Sequence, residues 1–284
     1  MQRSPTQLPT TNTDTRHKMT AKQPKGEDTY LAQPPSSSCG LGTIHEGTPR
    51  GTLETILDVP TYVAKPTPER ANGHVILYFP DVWGMSNNAQ LLMDSFSDAG
   101  FLTLGMDYFR GDPMSKYRQS MSDPAPEGFD RTAWRNKHWN FATENVPKWF
   151  DAVRAKYGNE ATKYACTGYC FGAPFVCDLL AGDYVSAGAF AHPTSLKEEH
   201  FAKLKQPLLL SCAEDDHAFD TESRRKAIDI LQMEKKQYHL QLFHGVSHGF
   251  AARGDPADPY SRWCKEQSLR AIADWFVFWL AASH

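Results

Sequence analysis

The sequence predicts an α/β protein, a mostly parallel central sheet with helices on both faces. Three observations predict it. Short apolar runs bounded by turn residues alternate with helical segments along most of the chain, the pattern of right-handed βαβ crossovers. The run His74–Phe79 is nearly all apolar and stops at Pro80, as a strand buried on both faces does. A Gly-x-Cys-x-Gly segment, Gly168–Gly172, stands between a strand pattern and a helix pattern.

The elements follow in order. Leu53–Leu57 and Thr61–Ala64 read as a hairpin closed at Asp58-Val59-Pro60. After the His74–Phe79 strand, Asn87–Ala99 has helical spacing, with Leu91, Leu92, Met93 and Phe96 on one side and Gly100 as its stop. Phe101–Met106 is a short buried strand, and Asp107–Ala133 a loop-rich stretch before a long helix over Trp134–Lys156. Strand Tyr164–Thr167, helix Phe171–Leu180 and strand Val185–Phe190 come next. Strand Pro207–Cys212, helix Glu222–Met233, strand Tyr238–Phe243 and a closing helix over Ser261–Leu280 complete the pattern.

Residues 1–38 are poor in apolar groups and rich in Pro, Thr, Ser, Gln and Lys. Such a segment buries too little surface to offset its chain entropy, so a disordered tail is expected there. Residues 39–284 form one domain. Hydrophobic residues make up 40% and charged residues 22% of the chain, an ordinary globular balance. A net charge of −3 gives no pull towards nucleic acid or anionic membrane, and no apolar run approaches the ~20 residues of a membrane span. Six cysteines lack CxxC spacing and no secretory leader precedes them. The expected setting is the cytoplasm, with the basic tail leaving mitochondrial targeting as the alternative.

Gly168-Tyr169-Cys170-Phe171-Gly172 carries the chemistry. A nucleophile on a sharp strand-to-helix turn needs small residues two before and two after it, so that strand and helix approach closely. The helix start favours thiolate and supplies an oxyanion donor, here the Phe171 amide. Cys177, seven residues on, reads as core packing instead. A thiol nucleophile requires a base and an orienting carboxylate. The loop after Pro207–Cys212 holds Glu214, Asp215 and Asp216, and the loop after Tyr238–Phe243 holds His244 and His248. Nucleophile, acid and histidine thus come in the chain order of this strand-loop arrangement, with the choice of acid open among the three. His244 and His248 are four apart, but Gly245 and Ser247 oppose a helix there, so no metal is expected. Trp83, Tyr169, His192 and Phe219 stand beside strand ends as pocket candidates. Arg110 lies in the loop after Phe101–Met106 as a candidate anchor for a substrate carboxylate.

With these residues, the sequence resembles the dienelactone hydrolase family, in particular its fungal branch. The resemblance runs from about Cys39 to the end. It includes His45-Glu-Gly-Thr-Pro49, Pro80-Asp-Val-Trp-Gly84, Asp107-Tyr-Phe-Arg-Gly111, the Cys170 segment, Asp215-Asp-His217 and Ser247-His-Gly-Phe250. It implies an α/β-hydrolase fold, no cofactor, and a triad of Cys170, His248 and Asp216. It also implies that the Val82 amide is the second oxyanion donor. Asp81 stands where bacterial members carry a glutamate that controls the resting thiol, and is one methylene shorter. The expected activity is hydrolysis of a small-molecule lactone or activated ester through a thioester acyl-enzyme. The alternatives are a tailoring hydrolase or cyclase for polyketides or other aromatic metabolites, and a non-catalytic binding protein on the same fold. The exposed faces that set oligomeric state are not legible in the sequence.

Overall fold

The computed structural model describes residues 29–35, 45–120 and 123–281. An eight-stranded sheet forms its centre, in the spatial order β10-β9-β7-β6-β4-β5-β3-β2. These strands are β2 (Thr52–Ile56), β3 (Val59–Ala64), β4 (Val75–Phe79), β5 (Leu102–Met106), β6 (Tyr164–Tyr169), β7 (Ala187–Ala191), β9 (Leu208–Asp215) and β10 (Tyr238–Ser247). The six strands from β10 to β5 are parallel, and the β2–β3 hairpin adds antiparallel to β5. The expected mostly parallel α/β sheet is therefore present. Every residue of β4, β6 and β7 is buried, which explains why those runs read as apolar rather than alternating.

Two hydrophobic clusters lie on the two faces. Helices α2 (Arg131–Tyr157) and α3 (Ala173–Leu180), with α4 (Glu198–Ala202) and α5 (Thr221–Met233), bury Val146, Trp149, Val176, Phe201 and Leu231 in one. Helices α1 (Asn87–Asp98) and α7 (Pro259–Ala281) bury Leu92, Met93, Phe96, Ile272 and Phe276 in the other. The short α6 (Phe250–Arg253) joins that second face. No helix among the described residues is long and apolar enough to cross a membrane.

Several local expectations need correction. Within the segment read as a disordered tail, Tyr30–Ala32 forms β1, paired antiparallel with β8 (Leu196–Lys197), and Ala32 is fully buried. A strand of three residues shows no periodicity, so its partner at Leu196–Lys197, far along the chain, was invisible in the sequence. Residues 1–28 and 36–38 of the tail reading, and the domain start at Cys39, lie outside the described residues. The first hairpin turns at Leu57-Asp58, both with positive φ (47° and 59°), and Pro60 lies within β3. A two-residue turn with both centres left-handed matches the twist of the flanking strands. The helix expected from Phe171 starts at Ala173, after a 3-10 turn over Cys170–Gly172.

Candidate active site

Cys170 follows the last residue of β6 and has φ 50°, a left-handed backbone that costs a non-glycine residue about 1–3 kcal/mol. The flanking glycines are required sterically. A Cβ on Gly168 would lie 2.5 Å from the Gly172 carbonyl oxygen, and one on Gly172 would lie 2.2 Å from that of Phe79 on β4. The thiol is fully buried, its Sγ 3.9 Å from Thr194 Oγ1, and the Thr194 amide donates to the Cys170 carbonyl at 3.1 Å. The remaining described cysteines, Cys166, Cys177, Cys212 and Cys264, are buried without disulfides, and burial above all pushes their thiols up. They are inert packing groups.

Asp216 and His248 are brought together by strand register. β9 and β10 are parallel neighbours, and Ser247 pairs with Asp215. The next residue of each strand, Asp216 and His248, therefore leaves the sheet side by side. His248 Nδ1 lies 2.9 Å and 3.0 Å from the two Asp216 carboxylate oxygens, with both side chains buried. Asp216 Oδ1 also accepts the Ala218 and Phe219 amides, at 2.9 Å and 3.2 Å. Burial pushes the Asp216 carboxyl up, but the charge and hydrogen bond of His248, with the Ala218 amide, outweigh it and leave the group below its ordinary range.

The same geometry separates the neighbouring candidates. Glu214 accepts from His244 Nδ1 at 2.5 Å and from the Gly245 amide at 2.9 Å, on the exposed side of the loop. His217, exposed, lies with its ring centre 5.0 Å from that of His248. Asp216, His217 and His248 hold donor atoms within 4.8 Å of one another. A metal ion gathered by that trio would compete with the hydrogen bond between Asp216 and His248.

Asp81 and Val82 follow β4 at the same sheet end. Both are buried; Asp81 Oδ1 accepts the Trp83 amide at 2.8 Å, and the Val82 carbonyl accepts the Met114 amide at 2.9 Å. Arg253, on α6, places its guanidinium 4.5 Å from the centre of the Trp83 ring. Burial pulls that guanidinium down and the Asp81 charge opposes the shift. Tyr108, whose hydroxyl donates to the Pro80 carbonyl, is pushed well up by burial first, then by Asp81 and Cys170. Asp81, the buried Tyr108 phenol and Cys170 thus share one electrostatic neighbourhood.

The other sequence candidates divide. His192, buried with φ 37°, sits with its ring 5.8 Å from Tyr169 and 5.0 Å from His248, bridging the elbow to the histidine loop. Tyr169 stacks on Tyr78 in the core, and Phe219 stacks on Phe201 beneath the acid loop. The Phe171 ring packs among Tyr108, Phe109, Trp139 and Phe175. Arg110 is exposed, with its guanidinium 3.9 Å over the Phe141 ring on α2. The cation beside His248 is Arg253, which sequence reasoning missed along with Thr194 and Tyr108. Arg253 stands five residues after His248 on a helix too short for periodicity, so proximity in the chain was its one signal. A cavity of about 290 Å³ opens at His248, lined also by Val246, Phe250 and Arg253. A larger one of about 580 Å³, between Tyr117, Phe129 and Trp134, has no triad candidate in its wall.

Residues 59–279 match the model of the dienelactone hydrolase family. The chain is 42% identical over 257 residues to Dienlactone hydrolase 1 of Gibberella moniliformis, covering 89% of this chain and 97% of that protein. It is 31% identical to Hydrolase tropI of Talaromyces stipitatus, covering 86% of this chain and 96% of that one. Among solved structures, TT1662 from Thermus thermophilus superposes with a TM-score of 0.59 at 15% identity, covering 82% of this chain and 98% of its own. A dienelactone hydrolase-like promiscuous phosphotriesterase from metagenomic libraries gives 0.56 at 17%, covering 81% and 98%.

Proposed function

The chain belongs to the dienelactone hydrolase family and is an ester or lactone hydrolase, and from that premise we propose that it works through a thioester on Cys170. Neutral His248, held by Asp216 through Nδ1, takes the thiol proton on Nε2. The thiolate adds to the carbonyl carbon of a lactone or activated ester. The resulting oxyanion is held by the amides of Val82 and Phe171. Its collapse breaks the carbon–oxygen bond of the ring, and His248 returns the proton to the leaving oxygen. Water, deprotonated by His248, then hydrolyses the thioester and restores the thiol.

A thiolate leaves more readily than an ordinary alkoxide, so the tetrahedral adduct partitions forward for enol-type or otherwise activated esters. Arg253, lying over the Trp83 ring, holds a substrate carboxylate, and Asp81 controls the resting thiol from the same loop.

The observation that carries this reading is the Asp216–His248 pair, set by strand register at the sheet end where Cys170 is held with a left-handed backbone. Cys170→Ala tests it, with loss of p-nitrophenyl ester and lactone turnover expected. Unchanged turnover overturns the assignment.

A further inference from the structure

The His45–Pro49 motif has no part in the mechanism above. We propose that His45, together with Asn88, is a positioning clamp for Arg253 that sets the affinity for anionic substrates. This rests on the reading of Arg253 as the anion anchor.

α6 has four residues, so its later carbonyls find no helical donors. Two side chains supply them. Asn88 Nδ2 donates to the Ala252 carbonyl at 2.9 Å, and His45 Nε2 donates to the Gly254 carbonyl at 2.7 Å. These are the residues immediately before and after Arg253. The two gripping residues are themselves locked together. The His45 amide donates to Asn88 Oδ1 at 2.8 Å, and Asn87 Nδ2 donates to the His45 carbonyl at 2.7 Å. Both are buried. A carbonyl only accepts, so the His45 ring carries its proton on Nε2. Burial first, then Lys265, lowers its basicity.

The clamp stands on the first turn of α1, which directly follows the loop of Asp81, Val82 and Trp83. It ties the backbone of Arg253 to the loop whose tryptophan the guanidinium covers. A single-turn helix has little stability of its own, and an arginine side chain loses rotamer entropy when it is fixed. Without the two hydrogen bonds the cation loses its registration over Trp83. His248 keeps its place, because β10 and Asp216 hold it independently.

Alkylation of Cys170 by iodoacetate and by iodoacetamide, nearly isosteric reagents differing in charge, tests the clamp. Adducts are located by peptide mass spectrometry. Arg253→Met is expected to lower the iodoacetate-to-iodoacetamide rate ratio about tenfold. His45→Ala and Asn88→Ala are expected to lower it to a similar extent while the iodoacetamide rate stays within about twofold. His45→Gln, whose amide also donates to a carbonyl, is expected to restore the ratio. In steady state, KM for a carboxylate-bearing lactone rises in His45→Ala with kcat retained, and KM for neutral p-nitrophenyl acetate does not move. If His45→Ala does not fold, Asn88→Ala carries the same comparison. An unchanged ratio in the clamp variants, with the ratio lost in Arg253→Met, overturns the clamp. An unchanged ratio in Arg253→Met overturns the anchor reading beneath it. A fall of both alkylation rates together in the clamp variants marks general fold support and also overturns the clamp.

Discussion

Replacing Asp216 by Asn changes one atom in the buried pair and separates the three neighbouring carboxylates. Asp216 Oδ1 accepts the Ala218 and Phe219 amides as well as His248. An asparagine keeps its oxygen on those amides and turns its NH2 towards His248 Nδ1. That nitrogen must then be the acceptor, which puts the imidazole proton on Nε2, where it blocks transfer from the thiol. Loss of the correct tautomer in a Ser-His-Asp enzyme costs about 10⁴ in kcat. A thiol is more acidic than a hydroxyl, so a loss of about 10³ to 10⁴ is expected here, a barrier rise of about 4–5.5 kcal/mol. The assay is single-turnover cleavage of a p-nitrophenyl ester, with iodoacetamide alkylation followed against pH. The alkylation profile of Asp216→Asn moves to higher pH, towards that of a thiol without a base beside it. Glu214→Gln, which touches the exposed His244, leaves both readouts within about twofold. A fall of less than tenfold in Asp216→Asn, or an equal fall in Glu214→Gln, refutes the assignment of the acid.

Three further outcomes follow from the same geometry. Asp112 is raised by burial, but bonds from Lys137, Tyr117 and His138 outweigh this and hold it at about 2. Its folded value is depressed, so it contributes stability above its ordinary pKa near 4 and loses it as pH falls from 4 to 2; Asp112→Asn should remove about 2 kcal/mol of that pH dependence in urea titrations. Gly172→Ala, which forces a Cβ into the Phe79 carbonyl, should cost on the order of 3 kcal/mol, against about 1 kcal/mol for Gly73→Ala, which meets open space and only a positive φ. Gln33 links the acid loop to the Thr194 loop, its amide donating to the Ala218 carbonyl and its carbonyl accepting the Ser195 amide. A chain begun at residue 36 loses that link and the burial of Leu31, about 3 kcal/mol by denaturation midpoint, whereas one begun at Thr29 keeps both.

What could be read without coordinates was set by local backbone requirements. The spacing Gly168-x-Cys170-x-Gly172 is legible because each glycine answers a contact made within one turn or against the adjacent strand. The buried strands and α1 with its Gly100 stop are legible because burial and helical period act over a few residues. The boundaries near the hairpin and near Phe171 shifted by one or two residues, since several turns suit the same local composition.

Other features depended on partners far along the chain. Glu214, Asp215 and Asp216 are chemically alike, and the pairing of Ser247 with Asp215 decides which of them meets His248. β1 forms by pairing with Leu196–Lys197, and Arg253 lies on a helix without periodicity of its own, whose Ala252 and Gly254 carbonyls accept from Asn88 and His45. Arg110, equally cationic and at a plausible loop, lies instead on Phe141. The sequence by itself determined the class of fold, the glycine-flanked turn at Cys170 and the residue types of the candidate triad, because steric demands over three to five residues leave few alternatives. The acid was already implied by the resemblance at Asp215-Asp-His217, whereas the contact of Asp216 with His248, the place of Arg253 and the pairing of Tyr30–Ala32 came from the tertiary structure alone, because register and hydrogen bonds between residues distant in sequence carry no local signature.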